Sequence, residues 1–129
     1  MKEPYRIFVV DDHHAMRNVL LRLLEKAPGL WPCGAAASAK EALLLIPSVH
    51  PDLVLVDISL PDMDGLRLVR EIREQWPWMP TLTLSGHDEA LYVQAARAAG
   101  ASGFLSKSNT ERLVDVVHAI LERGAYFDS

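Results

Sequence analysis

The chain has 129 residues, the span of one domain, and half of them are apolar, enough to bury a core. Its 17 acids against 13 Lys and Arg give a formal charge of −4, which argues against a basic nucleic-acid-binding surface. One cysteine, Cys33, excludes an internal disulfide and a Cys-cluster zinc site and fits a reducing compartment. No apolar run approaches the roughly 18 residues of a membrane span, and the apolar part of "RIFVV" is too short for a signal peptide. A cytoplasmic domain without membrane contact is the expectation.

The first predicted strand, "RIFVV" (6–10), runs into Asp11 and Asp12. A helix follows over 14–27, where Met16, Val19, Leu20, Leu23, Leu24 and Ala27 share one face and Arg17, Asn18, Arg22, Glu25 and Lys26 the other. "WPCGAAA" (31–37) is a weak strand. Its Pro32 lacks an N–H and fits only an edge position or a strand's first residue. Ser38 and Glu41 have capping-box spacing ahead of a helix over 39–47. The third strand, "LVLVD" (53–57), ends in Asp57. Pro61 and Gly65 shape the loop after it, by fixing one φ and by opening a conformation closed to other residues. Asp64 is placed to cap the helix over 65–76, whose stripe is Leu68, Val69, Ile72 and Trp76. "EQWPWMP" (74–80) predicts a stiff apolar lid at the amino-terminal side of the fourth strand, "TLTLS" (81–85). An Ala-rich helix over 89–99 groups Leu91, Ala95 and Ala99. The fifth strand, "GFLS" (103–106), leads to Lys107. The last helix, 109–123, carries Leu113, Val116, Val117, Ile120 and Leu121 inward behind Ser108 and Glu111, a second capping-box spacing.

Strands alternating with helices predict an α/β fold: (βα)5, a doubly wound five-stranded parallel sheet covered on both faces. The order 2-1-3-4-5, as in flavodoxin-like folds, puts the Pro32 strand at an edge. Ligands of such sheets bind beyond the carboxyl ends of the strands. There the sequence places Asp11 and Asp12, Asp57, Ser85 with Gly86, and Ser106 with Lys107. Taken singly, each has an ordinary reading: an Asp caps a helix, a Lys is solvated, a Ser bonds its own backbone. Three converging carboxylates, however, repel one another and drive one to protonate unless a cation compensates. Hard oxygen donors suit Mg²⁺, whereas a transition metal wants imidazole or thiolate. His13 and His14 follow the acidic pair, but adjacent helical residues diverge, so neither is expected to bind metal. His50, His87 and His118 read as surface residues.

"VVDDHHAMR", "LVLVDISLPDMDGL", "LTLSGHD" and "AGASGFLSK" resemble the receiver domain of two-component response regulators, most of all its NarL/FixJ (LuxR-type) class. The resemblance covers residues 1–123. It implies that Asp57 is the phosphoacceptor, and that Asp11, Asp12, Asp57 and the Ser59 backbone carbonyl hold Mg²⁺. Ser85 is implied to contact the phosphoryl group, Lys107 to pair with it, and Phe104 to be the aromatic switch that turns inward afterwards. A sensor histidine kinase is the implied donor, and a homodimer the implied consequence of phosphorylation. The domain would catalyse only its own phosphorylation and dephosphorylation. "GAYFDS" (124–129) would begin a linker to a helix-turn-helix domain, and DNA contact would be made only there. Two related chemistries fit less well. A haloacid-dehalogenase-type phosphatase wants an acid where Ser59 stands, and a flavodoxin wants a hydroxyl- or Gly-rich loop where "DDHH" stands.

Overall fold

A computed structural model of the chain describes residues 4–86 and 90–127. Its elements are β1 (Tyr5–Val10), α1 (His14–Lys26), β2 (Leu30–Ala36), α2 (Ala39–Val49), β3 (Leu53–Asp57), α3 (Gly65–Gln75), β4 (Thr81–Ser85), α4 (Ala90–Ala99), β5 (Gly103–Ser106), a 3-10 segment (Lys107–Arg112), α5 (Leu113–Arg123) and β6 (Tyr126–Phe127). The strands form one parallel sheet in the order β2-β1-β3-β4-β5-β6. The predicted order of the first five holds. A sixth strand of two residues, β6, adds to the five predicted and lies within the 124–129 segment.

Period-two alternation divides the core into two layers. Ile7, Val9, Leu53, Leu55, Leu82, Leu84 and Leu105 pack with Leu20 and Leu24 of α1 and with Leu113, Val116, Val117 and Ile120 of α5. On the other face Phe8, Val10, Val54, Val56 and Phe104 pack with residues of α2, α3 and α4. β3 is buried along its whole length, as expected of a central parallel strand covered on both sides. Each fully buried Leu or Ile here contributes about 1.5–3 kcal/mol relative to exposure.

Pro32 occupies an edge strand, as its missing N–H requires. It pairs with Ile7, and the next partner, Phe8, faces Gly34, so Cys33 is the extra residue of a bulge. Burial pushes the Cys33 thiol upward, which favours its protonated form. α2 runs two residues past its expected end, because Pro47 falls in the last turn, where one lost hydrogen bond is tolerated. It stops at His50, in a left-handed conformation (φ 49°).

Three local expectations differ from the structure. In α4 the buried stripe is Val93, Ala96 and Ala99, while Leu91 is 72% exposed. The first residue predicted for that helix, Glu89, lies outside the described residues, as does His87. After β5 the cap is Ser106, whose hydroxyl accepts from the Ser108 N–H at 3.3 Å, and the chain makes a 3-10 turn kinked at Asn109 before α5 begins. The lid is half realised. Trp76 packs partly on the core and Met79 is buried, but Trp78 is 73% exposed.

Candidate phosphoacceptor and cation site

Register brings the polar strand ends to one level. Val10 pairs with Val56, so Asp11 stands beside Asp57. Asp57 pairs with Leu84, and Ser85 pairs with Ser106, so Ser85 and Lys107 close the same row. Asp11 and Asp57 continue the alternation that faces α1 and α5, and both are fully buried. The Lys107 ammonium lies 3.0 Å from Asp57 Oδ2 and 3.8 Å from Asp11 Oδ2. Ser85 is buried at the end of β4, and Gly86, exposed beside it, has open space where a Cβ would be.

The backbone fixes these carboxylates. The Ser59 N–H donates to Asp57 Oδ1 at 3.0 Å, and the His13 N–H donates to Asp11 Oδ1 at 2.8 Å. The loop after β3 is closed by a bridge between Ser59 and Asp64. Asp64 then caps α3, its carboxylate accepting from the Leu66 N–H at 2.9 Å. Asp12, the other acid that could have been a cap, is not one; the residue at that place on α1 is His13, which makes no side-chain cap bond. Asp62 reaches across to accept from the Ala39 and Lys40 N–H groups, which ties the loop to the start of α2. Those backbone donors hold its carboxyl below the ordinary carboxylate range. Gly65 does not use a left-handed conformation, contrary to expectation. A Cβ there would lie 2.3 Å from the Asp57 carbonyl oxygen and 2.6 Å from Ile58 Cα, so glycine is required by close backbone approach.

The electrostatics of this corner are unresolved by protein groups alone. Burial pushes the Asp11 carboxyl above its ordinary range. The His13 N–H works against that rise, the charge of Asp57 adds to it, and Lys107 opposes it. Asp11 Oδ2 and Asp12 Oδ1 are buried oxygens with no hydrogen-bond partner. Such acceptors are costly unless a cation or water meets them. The donor set therefore fits a hard divalent cation.

His13 is the residue that the sequence did not place here. Its Nδ1 lies 3.1 Å from Asp11 Oδ1, 3.3 Å from Asp12 Oδ1 and 3.4 Å from Asp57 Oδ2. The expectation that it would diverge assumed a helical backbone. His13 is in fact extended (φ −81°, ψ 106°), in a turn held by the Asp11 carboxylate, so its ring folds back over the acids. His14, one residue on, is exposed and lies against Arg17 and Asn18.

Phe104 is already buried, at 4% exposure, with Phe127 of β6 as its neighbour across the sheet. The expected inward turn of an exposed ring therefore has a different starting point here. β6 is itself held by Arg97, whose guanidinium stacks 4.2 Å from the Phe127 ring centre, and by Arg112, which stacks on Tyr126 and donates to its hydroxyl.

A six-stranded parallel sheet flanked by five helices, with a buried acid, an acidic pair and a lysine at its carboxyl edge, defines a receiver-type class of signalling domain. The family model described as response regulator receiver domain matches residues 7–118, and the chain belongs to that family. The transcriptional regulatory protein DegU of Brevibacillus brevis is 30% identical over 94% of this chain and 52% of its own length. Among solved structures, a LuxR-family two-component response regulator from Aurantimonas sp. SI85-9A1 is 36% identical, with a TM-score of 0.89 over 96% of this chain and 89% of that one. The receiver domain of the response regulator NarL from Mycobacterium tuberculosis is 32% identical, with a TM-score of 0.87 over 95% of this chain and 99% of that one. The chain is thus a receiver domain homologous to NarL/LuxR-type transcriptional regulators, and it spans about half the length of the curated relatives it matches. Among the described residues, no helix is long and apolar enough to cross a membrane.

Proposed function

We propose that Asp57 is the phosphoacceptor of a two-component switch, loaded from the phosphohistidine of a sensor histidine kinase with the help of Mg²⁺. The observation that carries this reading is the pairing of a fully buried, backbone-oriented Asp57 with Lys107 at 3.0 Å, beside two buried acid oxygens that lack hydrogen-bond partners. Asp11, Asp12, Asp57 and the Ser59 carbonyl would hold the Mg²⁺, whose share is to neutralise negative charge on the carboxylates and on the transferring group.

The chain's own residues do the rest. A carboxylate oxygen of Asp57 attacks phosphorus, the phosphorus–nitrogen bond of the donor breaks, and the imidazole leaves with the electron pair. Lys107 and the Ser59 N–H keep Asp57 oriented toward the incoming group, and after transfer the ammonium meets a phosphoryl oxygen. Ser85 donates a hydroxyl, and the absent side chain of Gly86 leaves the entrance open. Water attack on the same acyl phosphate resets the switch. Ser59 stands where a hydrolase of outside substrates would keep its acid, which supports self-modification over enzymatic turnover.

The added charge and acceptor oxygens draw Ser85 and β4 toward the phosphate and change how Phe104 packs against Phe127. That change would reach a downstream output domain, and through it transcription in the cytoplasm, with dimerisation of the phosphorylated form. The domain itself would contact no nucleic acid. Intact-mass measurement after incubation with acetyl phosphate and Mg²⁺ tests the assignment. One phosphate should be added to the native chain and none to Asp57→Asn; labelling of that variant at the native rate would place the acceptor elsewhere.

A further inference from the structure

We propose that His13 is a nitrogen donor to this same cation site and makes it favour first-row transition ions such as Co²⁺ or Zn²⁺ over Mg²⁺. The inference rests on the reading that the acid cluster holds a divalent cation. The spacing of His13 Nδ1 from the three acids, a hydrogen bond to Asp11 in the metal-free chain, is close to that of a ligand shell. Neighbouring ligands on one ion with bonds near 2.1 Å stand about 3.0–3.4 Å apart in octahedral or tetrahedral arrangement. His13 Nδ1 stands 3.1, 3.3 and 3.4 Å from one oxygen of each of Asp11, Asp12 and Asp57. All four donor atoms lie within 4.8 Å of one another. The Asp12 and His13 side chains are 30% and 57% exposed, so they have room to draw in around an ion while Asp11 and Asp57 stay fixed. Asp11 Oδ2, buried and without a hydrogen-bond partner, belongs to the same corner.

The chemistry of the donors then sets the preference. Three carboxylates alone suit Mg²⁺, which takes oxygen and sheds water reluctantly. An imidazole adds little for that ion but much for Co²⁺ and Zn²⁺, which accept nitrogen readily. Lys107, 3.5 Å from Nδ1, would have to yield toward Asp57, its nearer partner at 3.0 Å. Because His13 makes no cap bond to α1, its replacement leaves the helix start intact.

Calorimetric titration of the metal-free chain with Mg²⁺ and with Co²⁺, together with the visible absorption of bound Co²⁺, tests the proposal. His13→Ala should lower Co²⁺ affinity by about tenfold or more relative to Mg²⁺ and alter the Co²⁺ spectrum. His14→Ala, one residue on and outside the cluster, should do neither. An equal change in affinity for both ions on His13→Ala would mean that the ring does not discriminate between them, and would overturn the proposal. If Mg²⁺ binds and Asp57 is labelled but the ratio does not move, only this inference falls. If neither ion binds the native chain, the phosphoacceptor reading loses its cation as well.

Discussion

Replacing Lys107 by Ala should expose how the acid corner is balanced. The ammonium stands 3.0 Å from Asp57 Oδ2 and 3.8 Å from Asp11 Oδ2. At an effective dielectric constant of about 20, these separations correspond to gross attractions of about 5 and 4 kcal/mol. Most of that is offset by desolvation of the lysine and by its lost rotamer freedom, about 2 kcal/mol. The side chain also keeps 17% exposure, which lets solvent screen it. Breaking a fully buried pair costs about 3–5 kcal/mol, so a loss of about 2–3 kcal/mol is expected for the metal-free chain near neutral pH. A divalent cation supplies the missing positive charge and no longer meets a competing ammonium. Saturating Mg²⁺ should therefore narrow the gap between variant and native chain. Urea unfolding followed by tryptophan fluorescence, with chelator and then with Mg²⁺, reads both quantities. A deficit that is the same in the two conditions would refute the idea that lysine and cation compensate the same carboxylates.

Other consequences are equally direct. Asp12→Ala should weaken Mg²⁺ binding and yet stabilise the metal-free fold, since one repelling carboxylate is gone; calorimetry and urea unfolding measure the two effects. Burial raises Asp11 above the ordinary 3.8, so the folded chain holds more protons than the unfolded one between that value and the raised one. The contribution of Asp11 to metal-free stability should therefore grow as the pH falls into that window and fade as it rises out of it. Asp11→Asn should remove this component from the pH dependence of the urea midpoint and be more stable near neutrality. Gly65→Ala drives a methyl against the Asp57 carbonyl oxygen at 2.3 Å, and should cost about 1–3 kcal/mol or more and slow labelling of Asp57 in the mass assay.

The sequence was most legible where periodicity and chemistry coincide. Strands that end in Asp11, Asp57, Ser85 and Lys107 announce their own registry, because a parallel sheet lines up its carboxyl ends. It was less legible where contrast is low or the cause is remote. α4 is so rich in alanine that two stripes satisfy the helical period, and only packing on the sheet selects Val93 over Leu91. β6 is two residues long and has no periodicity of its own. It forms because the Tyr126 N–H donates to the Ser102 carbonyl and because Arg97 and Arg112, distant in sequence, cover its rings. His13 escaped because one extended residue before a helix reverses where a side chain points. Gly65 was identified as necessary for the wrong reason: the need is closeness, not handedness.

The two borders of the sheet have a consequence for how the chain behaves in a crowd. On one side, the β2 border carries Pro32 and a bulge at Cys33, which interrupt the row of donors and acceptors that another chain's strand would need. On the other, the border is β6, Tyr126–Phe127, covered by Arg97 and Arg112. A protein half composed of apolar residues, with a central strand as hydrophobic as "LVLV", carries a segment that could seed cross-β assembly if it were a border. Here that segment is the innermost rail, flanked by β1 and β4. While the fold is intact, that segment is therefore withheld from the strand-to-strand growth that does not readily reverse.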